Sequence, residues 1–238
     1  MGSSRLPGKV MKPILGKPLL GHLLDRIQCC HMLDEVLVAT SISADNDVIA
    51  SYCAQRGVPV FRGSETDVLS RLVRALDWRG AQVGVLVFGD CPLIDPMIIR
   101  DILSGFMSDN KYDFVSNDLS TSWPPGMEVE IFKVSALRDS DRRCTDQVVR
   151  EHGTLYLRQN PDIYSQRNID APQHLSRLDL SFEVDVIEDL QVVETILSVF
   201  TNCVDIGLAK MIRYMDDHPE LAAHNRHVPR LWKQYRKN

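Results

Sequence analysis

The chain has 238 residues, 44% hydrophobic and 25% charged, which is enough apolar material for one large domain with an ample core. Its formal net charge of −5 excludes the basic face or stripe of a general nucleic-acid binder, so an anionic ligand would have to be held by a local cluster of cations. Six cysteines without a C-x-x-C pair argue against a zinc site or disulfide framework, and no apolar run reaches the ~18 residues of a membrane span, nor does the N-terminus carry the apolar core of a signal peptide. A soluble, cytoplasmic protein with no nucleic-acid or membrane partner is therefore expected, with free thiols in a reducing compartment.

The first nine residues, MGSSRLPGK, supply small residues, two cations and a Pro7-Gly8 turn, but no apolar segment. From Pro18 onward, Leu19, Leu20, Leu23, Leu24 and Ile27 recur at helical spacing behind a proline suited to a first turn. The β-branched run from Val36 to Thr40 predicts a buried strand that delivers a polar loop. Asp45 to Gln55 predicts a helix capped by Asp45 or Asp47 and ended near Gly57. The same scheme repeats in VPVFRGSETDVLSRLVRALDWRG, with a short strand, a loop over Arg62 to Glu65, and a helix from about Thr66 to Gly80. The apolar run from Val83 to Phe88 predicts a central strand, followed by a helix behind Asp95-Pro96.

Downstream, DFVSN and MEVEIFKV predict strands, the second half-exposed by its alternation of apolar and acidic residues. Helices are expected over Ser135 to Arg142 and Thr145 to Leu157, with a long polar connection in PDIYSQRNIDAPQHLSR. LSFEVDVIEDLQVVETILSVF predicts a strand and a helix, and Asp205 to Asp216 another helix. Alternating strands and helices without repeat or compositional break imply one α/β domain over 1–238, with its core in 2–200 and a helical extension over 205–238. The basic tail RHVPRLWKQYRKN reads as a solvated or oligomer-contacting helix.

In open α/β sheets ligands bind outside the carboxyl ends of strands, which singles out the opening loop, Gly89-Asp90 and Asp185. The opening loop is not a Walker A sequence: Ser3 stands where its first glycine belongs, and Val10 where the metal-binding hydroxyl belongs. Its small residues still let backbone amides approach an anion, and Arg5 with Lys9 suits a triphosphate; the alternative is a disordered basic terminus. Asp90, directly after the central strand, is placed for a magnesium ligand or for satisfying backbone donors in a turn. Asp185 ends another strand; with Glu188 it matches a capping box, and with Asp90 it would complete a two-carboxylate metal site. Asp95 reads as a helix cap, Cys91 with His152 lacks the spacing of a thiol and base, and Asp139-Ser140-Asp141 lies in a predicted helix rather than after a strand.

Taken in order, GSSRLPGK, LVATS, VPVFRGSETDVLSR, GDCPLIDP, FVSN, PPGMEVEIF, REH and VDVIEDL resemble the acylneuraminate cytidylyltransferases, most of all their spore coat polysaccharide biosynthesis branch. The resemblance runs from Gly2 to about Phe200. It implies a three-layer α/β/α sandwich with a mostly parallel mixed sheet of about seven strands, a Rossmann-like nucleotide half, and a homodimer. It also implies that the catalytic residues are Arg5, Lys9 and Asp90, with Arg5 and Lys9 on the phosphates of CTP, aided by the amides of Gly2, Ser3 and Ser4 and by Lys17. Asp90 and Asp185 match the family's Mg²⁺ carboxylates; Thr40, Ser41, Arg62 and Gly63 fall in loops around the nucleoside, and Asn117, Gly126, Glu128 and Glu130 on the side of the acceptor sugar.

The reaction so implied is attack of an acceptor hydroxyl, on a nonulosonate-type sugar acid, at the α-phosphorus of CTP with release of pyrophosphate, for surface polysaccharide. Positioning and charge neutralisation would carry the rate, and no side chain stands out as general base. Three departures bear on this. Val186-Ile187 replace the family's Thr-Pro after the aspartate, and Gly153 and Leu155 replace a Val and a Pro. Family members also reach the opening loop through a central strand and Gln-Ala-Arg, so an upstream start is expected. The competing readings are an inactive nucleotide- or sugar-binding subunit of the same fold and a glycosyltransferase of related fold, which would need a D-x-D at a strand end.

Overall fold

In the computed structural model, residues 2–200 and 206–230 are described. The opening loop leads through one 3-10 turn, Lys9–Met11, into a hairpin of β1 (Pro13–Ile14) and β2 (Lys17–Pro18), which the sequence reading lacks. Helix α1 (Leu19–Ile27) follows, its leucines buried at the expected spacing. Next come β3 (Val38–Ser41), α2 (Asp47–Gln55), β4 (Val60–Gly63), α3 (Val68–Arg79), β5 (Val83–Leu86) and α4 (Pro96–Ser108). The alternation of strand and helix is therefore as expected. Helix α3 starts later than expected because Asp67 caps it, its carboxylate accepting from Ser70 N at 3.0 Å. The second half contains β6 (Phe114–Ser116), β7 (Glu130–Lys133), α5 (Val134–Arg143), α6 (Gln147–Glu151), α7 (Leu155–Gln159), β8 (Gln166–Asn168), α8 (Ile187–Val199), α9 (Leu208–Asp217) and α10 (Pro219–His224).

The layers follow from strand register. On β6 and β7, Phe114 is paired with Phe132 and Val115 with Ile131, so each pair points to one face of the sheet. The phenylalanines join a core with Leu69 and Val73 of α3, Leu137 of α5 and Leu157 of α7. The Val115–Ile131 pair joins the larger core with α1, α4, α8 and α9. Two cores on opposite faces of one sheet make the α/β/α sandwich that was expected.

The sheet is mixed. β3 and β4 pair in parallel, as do β6 and β8, while β7 runs antiparallel between β5 and β6. Hydrogen bonding gives it as separate pieces, β3-β4 and β5-β7-β6-β8, and no described strand pairs with the second edge of β3 or β5. Val36, Val38, Val83, Val85 and Val87 on these segments are only partly buried against the large core.

Four expectations are corrected. The helix expected over Thr145 to Leu157 is two short ones, broken at Gly153, whose φ of 60° lies in the left-handed region. The polar connection contains β8, which extends the sheet beyond β6. Leu180 to Val184 forms no strand ladder; its backbone is held by Phe182 N to Pro125 O (2.7 Å) and Val184 N to Asp90 O (2.8 Å). The described part of the tail, residues 226–230, forms no helix, solvated or oligomer-contacting, and Val228 is buried, while residues 231–238 and the expected helix start at Asp205 lie outside the described residues. No helix among the described residues is long and apolar enough to cross a membrane.

Candidate functional site

The opening loop is ordered by Leu6, which is buried, and by Ser3 Oγ, which accepts from Leu6 N at 3.2 Å. The alternative of a disordered basic terminus is thereby set aside. The loop lies between two strand ends: Gly2 is beside Glu65 of the loop after β4, and Val10 is beside Gly89 at the end of the β5 segment. From there its cations turn inward. Lys9 Nζ bridges Asp90 Oδ2 at 2.7 Å and Asp185 Oδ1 at 3.0 Å, and Arg5 pairs with Asp185 Oδ2 at 2.7 Å. Burial pulls the Lys9 ammonium down, but the two carboxylates outweigh it and hold its pKa above the ordinary lysine value.

The backbone explains why Asp90 and Asp185, far apart in sequence, meet. Val184 N donates to the carbonyl of Asp90 itself, so the residue after Val184 is delivered beside the end of the β5 segment. Of the two roles expected for Asp185, a capping box with Glu188 and a metal site with Asp90, the structure removes the first. Asp189 does the capping, its Oδ2 accepting from Asp185 N (2.9 Å) and Val186 N (3.0 Å). The Asp185 carboxylate is thus left for the site. Asp95 is the expected helix cap, with Oδ1 on Met97 N and Oδ2 on Leu208 N.

Two carboxylate oxygens converging on one ammonium form a place where a cation is already accommodated. Hard oxygen donors of this kind suit Mg²⁺, which commonly takes one or two carboxylates and completes its shell with water and substrate phosphates. Among the described residues no group of three His, Cys, Asp or Glu side chains gathers to hold a metal by itself. The pair fits a metal that arrives with a phosphate-bearing ligand.

Beside Asp90 opens a cavity of about 170 Å³. Its wall includes Phe88, the carboxylates of Glu128, Glu130 and Glu183, and the guanidinium of Arg158. Glu130 and Arg158 are locked in a buried network: Arg158 Nη1 lies 2.6 Å from both Asp118 and Glu130, and the Thr154 hydroxyl also donates to Glu130. Burial pushes the Glu130 carboxyl up despite Arg158, while Asp118 and Glu130 hold the guanidinium charged against its own burial. Glu128 accepts from Gly126 N at 2.7 Å. Gly126 is required there: its φ is 100°, and a Cβ would stand 2.6 Å from the backbone carbon of Phe182. Asn117 spans the neighbouring strands, donating to Met127 O and accepting from Val129 N, both within 2.8 Å. Cys91 and His152 do both line the cavity, but burial, with Asp90 and the nearby glutamates, pushes the Cys91 thiol well up, so it is no nucleophile.

The expected nucleoside residues lie side by side at the carboxyl ends of β3 and β4. In parallel register Thr40 faces Arg62 and Ser41 faces Gly63. Arg62 donates to the carbonyls of Ser41 (3.1 Å) and Ser43 (2.9 Å) and pairs with Asp47. Lys17 is turned elsewhere, onto Asp25 of α1, which also holds Arg56. Gly2 and Ser4 are exposed. Asp139 and Asp141 lie on α5, bound to Arg143 and Arg150, away from any strand end. Sequence reasoning assigns no role to Asp118, Thr154, Arg158, Glu183, Asp189 or Arg230; Glu183 and Asp189 fall within LSFEVDVIEDL, Arg230 within the basic tail, and Thr154 just after the motif REH.

The comparisons with known proteins agree with this geometry. A family model described as cytidylyltransferase matches residues 1–214. An uncharacterized protein of Methanocaldococcus jannaschii is 30% identical over 99% of this chain and 94% of its own length. The spore coat polysaccharide biosynthesis protein SpsF of Bacillus subtilis is 28% identical over 93% of each chain. Among solved structures, a cytidylyltransferase from Leptospira borgpetersenii superposes with a TM-score of 0.89 at 27% identity, covering 97% of this chain and 95% of that one.

Proposed function

Since the chain belongs to the cytidylyltransferase family, we propose that it transfers CMP from CTP to the hydroxyl of a sugar acid, with Mg²⁺, in the making of a surface polysaccharide. The observation that carries this reading is the bridge of Lys9 between Asp90 and Asp185 at the point where the opening loop meets the strand ends. Arg5 and Lys9 pair with these carboxylates. CTP phosphates would take Arg5 and Lys9 from these carboxylates, leaving Asp90 and Asp185 as the residues that would hold Mg²⁺, so metal and nucleotide should bind cooperatively. Bound Mg²⁺ would neutralise charge on the phosphates during displacement.

The acceptor belongs in the cavity beside Asp90. An acceptor hydroxyl oxygen bonds to the α-phosphorus, the bond from that phosphorus to the β-phosphate bridge breaks, and pyrophosphate leaves with the electron pair while one proton is released. Glu128 and Glu183 in the cavity lining suit donors, as sugar hydroxyls are, while Arg158, already paired with Asp118 and Glu130, holds that side of the wall in place. The paired strand ends carrying Thr40, Ser41, Arg62 and Gly63 are assigned to the nucleoside on the resemblance. We assign a homodimer on the resemblance alone, to be read from light scattering.

The test is pyrophosphate release from CTP, UTP, ATP and GTP with Mg²⁺ and a panel of sugar acids, each beside its carboxamide. The expected result is turnover with CTP and a sugar acid, lost with the carboxamide. Asp90→Asn should lower kcat by about 10²–10³-fold or more while the fold is kept. CTP binding with no pyrophosphate under any acceptor would overturn the enzyme reading in favour of a binding subunit.

A further inference from the structure

The segment after α10 returns to the site. Asn225 is buried, the side chain of Arg230 is only 5% exposed, and the carbonyl of Pro229 accepts from Arg5 at 2.8 Å. Arg230 meets Asp189 with a two-pronged contact, Nη2 to Oδ1 at 2.7 Å and Nη1 to Oδ2 at 3.0 Å. Its Nε lies 3.5 Å from Glu183, and Nη1 lies 3.7 Å from Asp185. Asp189 has no exposed surface; besides Arg230 it accepts from Asn225 Nδ2 and from the amides of Asp185 and Val186.

We propose that Arg230 is a positioning residue for the proposed metal site, fixing through Asp189 the turn that aims the Asp185 carboxylate at Asp90. This rests on the metal-dependent reading above. A carboxylate as buried as Asp189 needs a countercharge, and a planar guanidinium fixes both oxygens at once, which an ammonium cannot do. With Asp189 fixed, one oxygen holds two successive amides, and the direction in which Asp185 leaves the backbone is set. Val186-Ile187 follow Asp185 with no proline to stiffen the turn, so the bonds to Asp189 are what hold it. The same strap reaches Arg5 through Pro229 O, so the pieces that hold Asp185 from either side are tied together.

The first variant is Arg230→Lys, which keeps the charge near Asp185 and removes the fork. Mn²⁺ binding to the full chain in saturating CTP, followed by electron paramagnetic resonance, should weaken by three- to tenfold. CTP binding in chelator and the unfolding temperature at pH 7 are measured alongside, and the affinity for metal-free CTP should stay within twofold. A purely structural strap would instead weaken both or neither. Equal Mn²⁺ affinity in Arg230→Lys and the parent overturns the proposal. If Arg230→Lys does not fold, Asp189→Asn is read by the same two affinities with the same outcomes. If the parent chain binds no Mn²⁺ with CTP present, the metal-dependent reading falls and this one falls with it.

Discussion

Replacing Arg158 by methionine is the perturbation whose size the structure defines best. Arg158, Asp118 and Glu130 are 10%, 3% and 2% exposed at the side chain, and one guanidinium serves both carboxylates, with Nη2 also on Asp118 O at 2.8 Å. Removing it strands two buried acids. The expected cost is about 3–5 kcal/mol, a large share of the ~5–15 kcal/mol that holds a domain of this kind. The loss should also depend on pH with a definite sign. Burial already raises the Glu130 carboxyl above its ordinary value, and without Arg158 it rises further. A group raised in the folded state costs nothing below its unfolded pKa. As pH climbs toward the folded value, the unfolded chain has released the proton and the folded chain has not, and stability falls by up to ~1.4 kcal/mol per pH unit. Urea denaturation of both proteins at pH 5 and pH 7 reads this directly, and the gap should be about 1–2 kcal/mol smaller at pH 5. The double variant Arg158→Met/Glu130→Gln should recover part of the loss. A gap under about 1 kcal/mol at pH 7, or one that does not change with pH, would refute the buried-network argument.

Gly126→Ala forces a Cβ to within 2.7 Å of the Glu183 amide at a φ of 100°, so it should destabilise the chain by roughly 2 kcal/mol or more in calorimetry and raise the Mg²⁺ half-saturation by shifting the segment that carries Asp185. Unchanged values in both would mean that the segment moves freely. The Cys91 thiol, buried and pushed well up, should resist alkylation in the folded chain at pH 8 and react only in urea, as judged by peptide mapping. Rapid labelling of Cys91 without denaturant would contradict the closed wall.

Much of this protein was legible before its structure. The alternation of strand and helix, the leucine stripe of α1, the Asp95 cap and the placing of Arg5, Lys9, Asp90 and Asp185 at loops all follow from local chemistry: period, proline and glycine punctuation, and polar residues immediately after apolar runs. What local chemistry does not contain is the pairing of distant backbones. β8 lies hidden in a polar stretch because its ladder to β6 depends on a neighbour about 50 residues away, while LSFEVDV, apolar enough for a strand, has no ladder to join. For the same reason Asp185 and Asp90 are brought together by the bond from Val184 N to Asp90 O and by the Lys9 bridge, and Lys17 goes to Asp25. Sequence alone named Arg5, Lys9, Asp90 and Asp185; which carboxylate each cation answers, and that Asp189 with Arg230 holds the turn, was decided by tertiary contacts. Long, flexible side chains reach several partners, and only a fixed backbone selects among them.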